Sequence, residues 1–83
     1  MKKTEMIREL VWLFNWELRE FIRTIKGENE YFDIRTSQSR LIGVFNALKA
    51  VGIIDYKKFD IILSRDIEKL ETLEISLSEI LEK

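Results

Sequence analysis

The sequence predicts an all-α fold, a small bundle of three main helices with a long C-terminal helix, and three observations carry that prediction. Proline is absent from all 83 residues, so no helix interior is obliged to break. Two of the three glycines, Gly27 and Gly52, fall between stretches rich in Leu, Ile, Lys and Glu, where they suit helix ends. Apolar residues recur at spacings of three and four rather than alternating, which is the period of a helix with one buried face. The expected organisation is a single helical domain over 1–83, with helices at 4–26, 37–51 and 56–82 and an aromatic loop at 27–35 between the first two.

In the first segment Ile7, Leu10, Val11, Phe14, Leu18, Phe21, Ile22 and Ile25 fall within an arc of about 120° at 100° per residue, a core-facing stripe. Thr4 is the expected N-cap and Gly27 the residue just past the end. The following stretch lacks a helical period. Its Tyr31, Phe32 and Ile34 are expected to plug the end of the bundle. Thr36 or Ser37 should cap the second helix, whose apolar face is Leu41, Val44, Phe45, Leu48 and Val51. Gly52 should end it, because glycine adopts the left-handed turn at little cost. Asp55 is a strong N-cap for the third helix, and Ile54 just before it can staple onto Phe59.

The third segment has the strongest period: Tyr56, Phe59, Ile62, Leu63, Ile67, Leu70, Leu73, Leu77, Ile80 and Leu81 keep heptad spacing. An unbroken helix there would be about 40 Å long, against about 22 Å for the second. Its one expected weak point is Ser76 to Glu79, which has capping-box spacing.

Composition excludes several functions. With 14 basic and 15 acidic residues the net charge is −1, unlike that of a strongly basic nucleic-acid binder. Cysteine and histidine are both absent, which removes disulfides, thiolate metal sites, zinc fingers, cysteine nucleophiles and histidine acid–base catalysis. There is no phosphate-cradling glycine loop and no nucleophile elbow. Asp66 and Glu74 lie in or beside the apolar stripe, but eight residues put them about 12 Å apart along a helix, too far for a shared acid–base site. A non-enzymatic protein without cofactor or metal is expected. Charges interrupt the apolar character after Met1-Lys2-Lys3, and no window is long and apolar enough to span a bilayer, so a cytoplasmic protein with no membrane partner is expected.

What remains is surface. Trp12 and Trp16 stand four apart on the side of the first helix opposite its core stripe, with Arg19 and Arg23 on the same side. Either the Tyr31–Phe32 loop or the far part of the third helix covers them within the monomer, or they anchor an interface, for which tryptophan and arginine are typical. A small-ligand pocket is the third reading. Because the third helix outruns the second, Leu70, Leu73, Leu77 and Ile80 are expected to lack a full set of neighbours in the chain and to join a dimer seam. Gly43, Ala47 and Ala50 put small residues on one side of the second helix, where ordinary helix packing is expected. The function expected is a small protein-binding regulatory, adaptor or inhibitor module, partnered by another protein or by a second copy as a homodimer. The alternative is a DNA-binding transcriptional regulator that contacts phosphates through Arg35, Ser37, Gln38 and Arg40 at the start of the second helix.

Overall fold

The computed structural model describes residues 3–81. Helix α1 spans Lys3–Ile25 and α2 spans Ile34–Ala50. A 3-10 turn at Tyr56–Lys58 leads into the short α3, Phe59–Ser64, and then α4, Ile67–Leu81. All regular structure among the described residues is helical, so the fold is all-α as expected.

Helix α1 is the centre. Both α2 and α4 pack against it, and α3 packs against both of them. Val11, Phe14, Leu18, Phe21 and Ile22 of α1 are buried against Leu41, Phe45 and Leu48 of α2, Ile62 of α3, and Leu70, Leu73 and Leu77 of α4 in one continuous core. Burial on α1 wraps from Asn15 on the α4 side round to Glu17 on the α2 side. The first residues of α1, Lys3 to Met6, and its outer face beyond them are left to solvent.

The ends of the first two helices follow the sequence. At the end of α1 the Gly27 N–H donates to the Thr24 carbonyl (3.1 Å) and the Glu28 N–H to the Arg23 carbonyl (2.8 Å). This paired Schellman geometry needs the positive φ of 76° found at Gly27. Gly52, at φ 78°, repeats it for α2, with Ile53 donating to Leu48 (3.0 Å). Asp55 caps the 3-10 turn by accepting from the Lys57 N–H (2.9 Å), and Ile54 beside it is buried.

Four expectations are corrected. Helix α1 already runs from Lys3, so Thr4 lies inside it rather than capping it. Helix α2 begins earlier than expected: Asp33 is its N-cap, accepting from the Thr36 N–H at 2.7 Å, and Thr36 and Ser37 lie within the first turn. Of the expected plug, Ile34 packs against the core at the start of α2 and Phe32 is half-buried, but the loop itself is held by polar contacts. Asn29 donates to Glu20 Oε2 and Thr24 Oγ1 (both 3.1 Å) and accepts from the Tyr31 and Phe32 N–H groups (2.9 and 3.1 Å), while Tyr31 itself stands out in solvent. Gly43 supports no helix packing, because a side chain built there would meet nothing within 4 Å; Ala50 is exposed and Ala47 half-buried.

The largest correction is to the third helix, expected over 56–82. It breaks at Arg65, whose φ of 57° and ψ of 26° place it in the left-handed region. Ser64 Oγ donates to the Ile61 carbonyl (2.7 Å) and closes α3. Asp66 then caps α4 by accepting from the Lys69 N–H (3.2 Å). Ser76 lies inside α4 and Glu82 lies outside the described residues. Helix α4, with 15 residues, is therefore about 22 Å long rather than the far half of a 40 Å rod. It folds back along α1, which buries Leu70, Leu73 and Leu77 and half-buries Ile80. The expected shortage of neighbours does not exist. The dimer seam predicted at these four residues loses its physical reason, because the chain covers them itself.

Leu63 and Leu70 lie one heptad apart in the sequence yet are 52% and 0% exposed. Leu70→Ala should therefore destabilise the fold by about 2–5 kcal/mol, while Leu63→Ala should leave the chemical-denaturation midpoint almost unchanged. A continuous helix would have made the two variants alike.

Asp33 makes a pH prediction. Its carboxylate accepts the Thr36 N–H, with Arg35 nearby, and this holds its pKa below the ordinary value of 3.8. A depressed folded-state pKa contributes stability that is present above the unfolded value and lost as pH falls through the folded one. Asp33→Asn keeps an acceptor without the charge. Acid titration of the melting temperature should accordingly show a shallower fall for this variant than for the parent below about pH 4.

Candidate functional site

The outer strip of α1 carries the candidate site. Glu5, Glu9, Trp12, Trp16, Arg19 and Arg23 succeed one another at spacings of four and three, so they form one line along the helix. All six are exposed. Trp12 and Trp16 are 61% and 50% exposed and stack on each other, with ring centroids 6.0 Å apart and an interplanar angle of 18°. Neither the Tyr31–Phe32 loop nor α4 covers them, which corrects the reading that placed them in the monomer core. Leu13 and Met6, also exposed, widen the apolar strip toward α2.

Polar contacts fix the strip at both edges. On the α4 side Arg19 pairs with Glu74, and Arg8 donates to the Leu81 carbonyl (3.0 Å). Asn15, almost wholly buried, donates from Nδ2 to Ser78 Oγ (3.1 Å), and its buried Oδ1 meets no donor among the described residues. On the α2 side the Arg40 guanidinium makes two parallel bonds to the buried Glu17 carboxylate, 2.9 and 3.0 Å long, and lies over the Phe32 ring at 4.7 Å from its centroid. Glu17 holds the Arg40 guanidinium more firmly protonated than a free arginine. Thr24 Oγ1 donates to the Glu20 carbonyl (2.8 Å), so at 2.8 Å from Ser37 Oγ it must accept the Ser37 hydroxyl proton. Arg23 bonds to Glu20 (3.2 Å) one turn back along α1.

These contacts decide the nucleic-acid candidates. Ser37 is buried against Thr24, Gln38 donates to the Ile62 carbonyl (3.1 Å), and Arg40 is held by Glu17. Of the four, only Arg35 projects free of such contacts among the described residues. The structure does not bring them together as a phosphate-binding surface. Asp66 and Glu74 are also accounted for: one is a helix cap and the other the partner of Arg19.

Two small clefts border the tryptophans. One of about 100 Å³ lies between Trp12, Trp16 and the C-terminal turn of α4, beside Asn15. The other, about 470 Å³, lies between Trp16, Glu20 and the loop at Glu28–Phe32. Among the described residues no three His, Cys, Asp or Glu side chains cluster to hold a metal ion, and no helix is long and apolar enough to cross a membrane. Comparison with known proteins finds no family model, curated relative or solved structure that matches the chain.

Sequence reasoning found the tryptophan line but missed the Glu17–Arg40 latch. The one available signal was an acidic residue at position 17, on the flank of an otherwise apolar face. A buried carboxylate stripped of its partner is costly, whereas exposed pairs contribute little. Arg40→Ala should therefore lower the melting temperature clearly more than Arg19→Ala, whose partner Glu74 stays in contact with solvent.

Proposed function

We propose that this chain is a small non-enzymatic protein-binding module, of a regulatory or adaptor kind, working through the outer face of α1. The observation that supports this most directly is the stacked, exposed pair Trp12–Trp16 on a helix held rigidly by the core behind it. Exposed tryptophan is unfavourable in water and enriched at the desolvated centres of interfaces, where it is commonly ringed by arginine. Here Arg8, Arg19 and Arg23 supply that ring, and Glu5 and Glu9 add the opposite charge. A stable scaffold with one apolar anchor and a charged rim works by presenting a surface, and the absence of histidine and cysteine fits that role.

The two tryptophans are the only ones in the chain, so its indole fluorescence reports on this face alone. Binding should shift the emission to the blue as water leaves both rings. Trp12→Ala and Trp16→Ala should each keep the helical signal and melting temperature of the parent while losing about 2–4 kcal/mol of binding. Parallel pull-downs from the native host, read by mass spectrometry, should recover a partner with the parent and not with either variant. Unfolding of the alanine variants would show the tryptophans to be structural and would overturn the reading.

A further inference from the structure

We propose that the partner of the Trp12–Trp16 face is a second copy of this chain, packed antiparallel along α1 about a two-fold axis level with Phe14. The inference rests on the protein-binding reading and adds occupant, orientation and register. The spacing of the six exposed positions, four and three in alternation, is that of a two-helix seam. They are placed symmetrically about residue 14. Trp12 and Trp16 lie two residues to either side, Glu9 and Arg19 five, and Glu5 and Arg23 nine. A two-fold axis at that level sets each residue opposite its mirror position in the other copy. Tryptophan then meets tryptophan in the central layers, and glutamate meets arginine in every outer layer. The seam is about 27 Å long and lies wholly within α1.

Orientation follows from charge. In a parallel pair Glu5, Glu9, Arg19 and Arg23 would each face their own copy, giving four layers of like charge, which disfavours that arrangement. The antiparallel register turns every one of these layers into an opposite-charge pair. Glu5 and Glu9 have no ion-pair partner among the described residues. Arg19 and Arg23 are engaged by Glu74 and Glu20 in their own chain, yet remain largely exposed, and a guanidinium with five N–H donors can serve two carboxylates. Arg8 and Glu20, on the flanks, are held back by the Leu81 carbonyl and by Asn29. Leu13, one residue from the axis, lies within about 3 Å of its own copy along the axis and extends the apolar centre toward α2. A seam of one helix pair belongs to the small interface class, so association should be in the micromolar range.

The chain has no cysteine, which allows a direct test of register. Glu5→Cys and Arg23→Cys are prepared separately in the full chain and treated with a short bis-maleimide at about 100 µM protein. The antiparallel seam predicts efficient cross-linking only when the two variants are mixed, because residue 5 lies about 27 Å from its own copy. Cross-linking of Glu5→Cys alone would show a parallel pair and overturn the register. Sedimentation of the parent should show a dimer that Trp12→Ala converts to a folded monomer. A parent that stays a 10 kDa monomer at that concentration, while its tryptophan variants remain folded, overturns the second copy as occupant but leaves the face as a site for a different protein. Loss of folding in those variants would overturn both readings.

Discussion

The whole bundle depends on α1 being covered from two sides by helices with few ties to each other. Helices α2 and α4 each pack on α1, and the small α3 packs against both of them. The apolar residues of α1 therefore serve two interfaces at once, and Phe14 and Leu18, in the middle of that arc, are entirely buried. Apolar burial supplies the driving force there, at about 25 cal/mol per Å². Polar pairs then set the angular limits. Glu17 with Arg40 marks where α2 stops, and Asn15 with Ser78 marks where α4 stops. Such pairs add little net stability compared with an apolar contact, but a mispaired alternative would strand a buried carboxylate or amide. They select one placement of the two helices around α1.

Much of this is legible in the amino-acid sequence. The helix ends at Gly27 and Gly52 could be read because a left-handed turn residue has few substitutes for glycine. The core stripe of α1 was legible for a similar reason: one helical period admits one face. The break at Arg65 was not, because a non-glycine residue in the left-handed region leaves no mark in composition and the heptad pattern runs straight across it. A trace existed in Asp66, a cap-type residue standing where the stripe calls for an apolar one, with Ser64 two residues earlier. Its misreading carried through to the site, since Leu70, Leu73 and Leu77 looked unpartnered only on a continuous rod. The Glu17–Arg40 pair was illegible for a different reason, because it depends on how two helices are aligned and neither sequence segment states that alone.

The tryptophan strip is the complement of this arrangement. Two flanking helices can bury somewhat more than half the circumference of a third, and the remaining strip is backed by the wholly buried Phe14 and Leu18. A side chain on it is held in place by everything beneath. The strip thus differs from the Glu28–Phe32 loop, which is tied back by the Asn29 side chain, the Glu28 N–H and the Arg40 guanidinium over Phe32 rather than by apolar packing alone. Rigidity lowers the ordering cost of association, which favours a helix face over a loop as the place where binding free energy can be gathered.

The central position of α1 also shapes the order of events during synthesis. Helix α1 leaves the ribosome ahead of the helices that cover it, and the residues on its far flank belong to α4, more than 40 positions later. Until those residues emerge, Val11, Leu18 and Ile22 have only α2 to shelter them. A growing chain that ends in the linker after α2 is a two-helix hairpin with a bare apolar side, and local contacts alone cannot complete it. Final collapse must await the closure of α4 onto α1. During that interval the growing chain exposes aliphatic surface, the kind of surface that makes incomplete folds prone to aggregate.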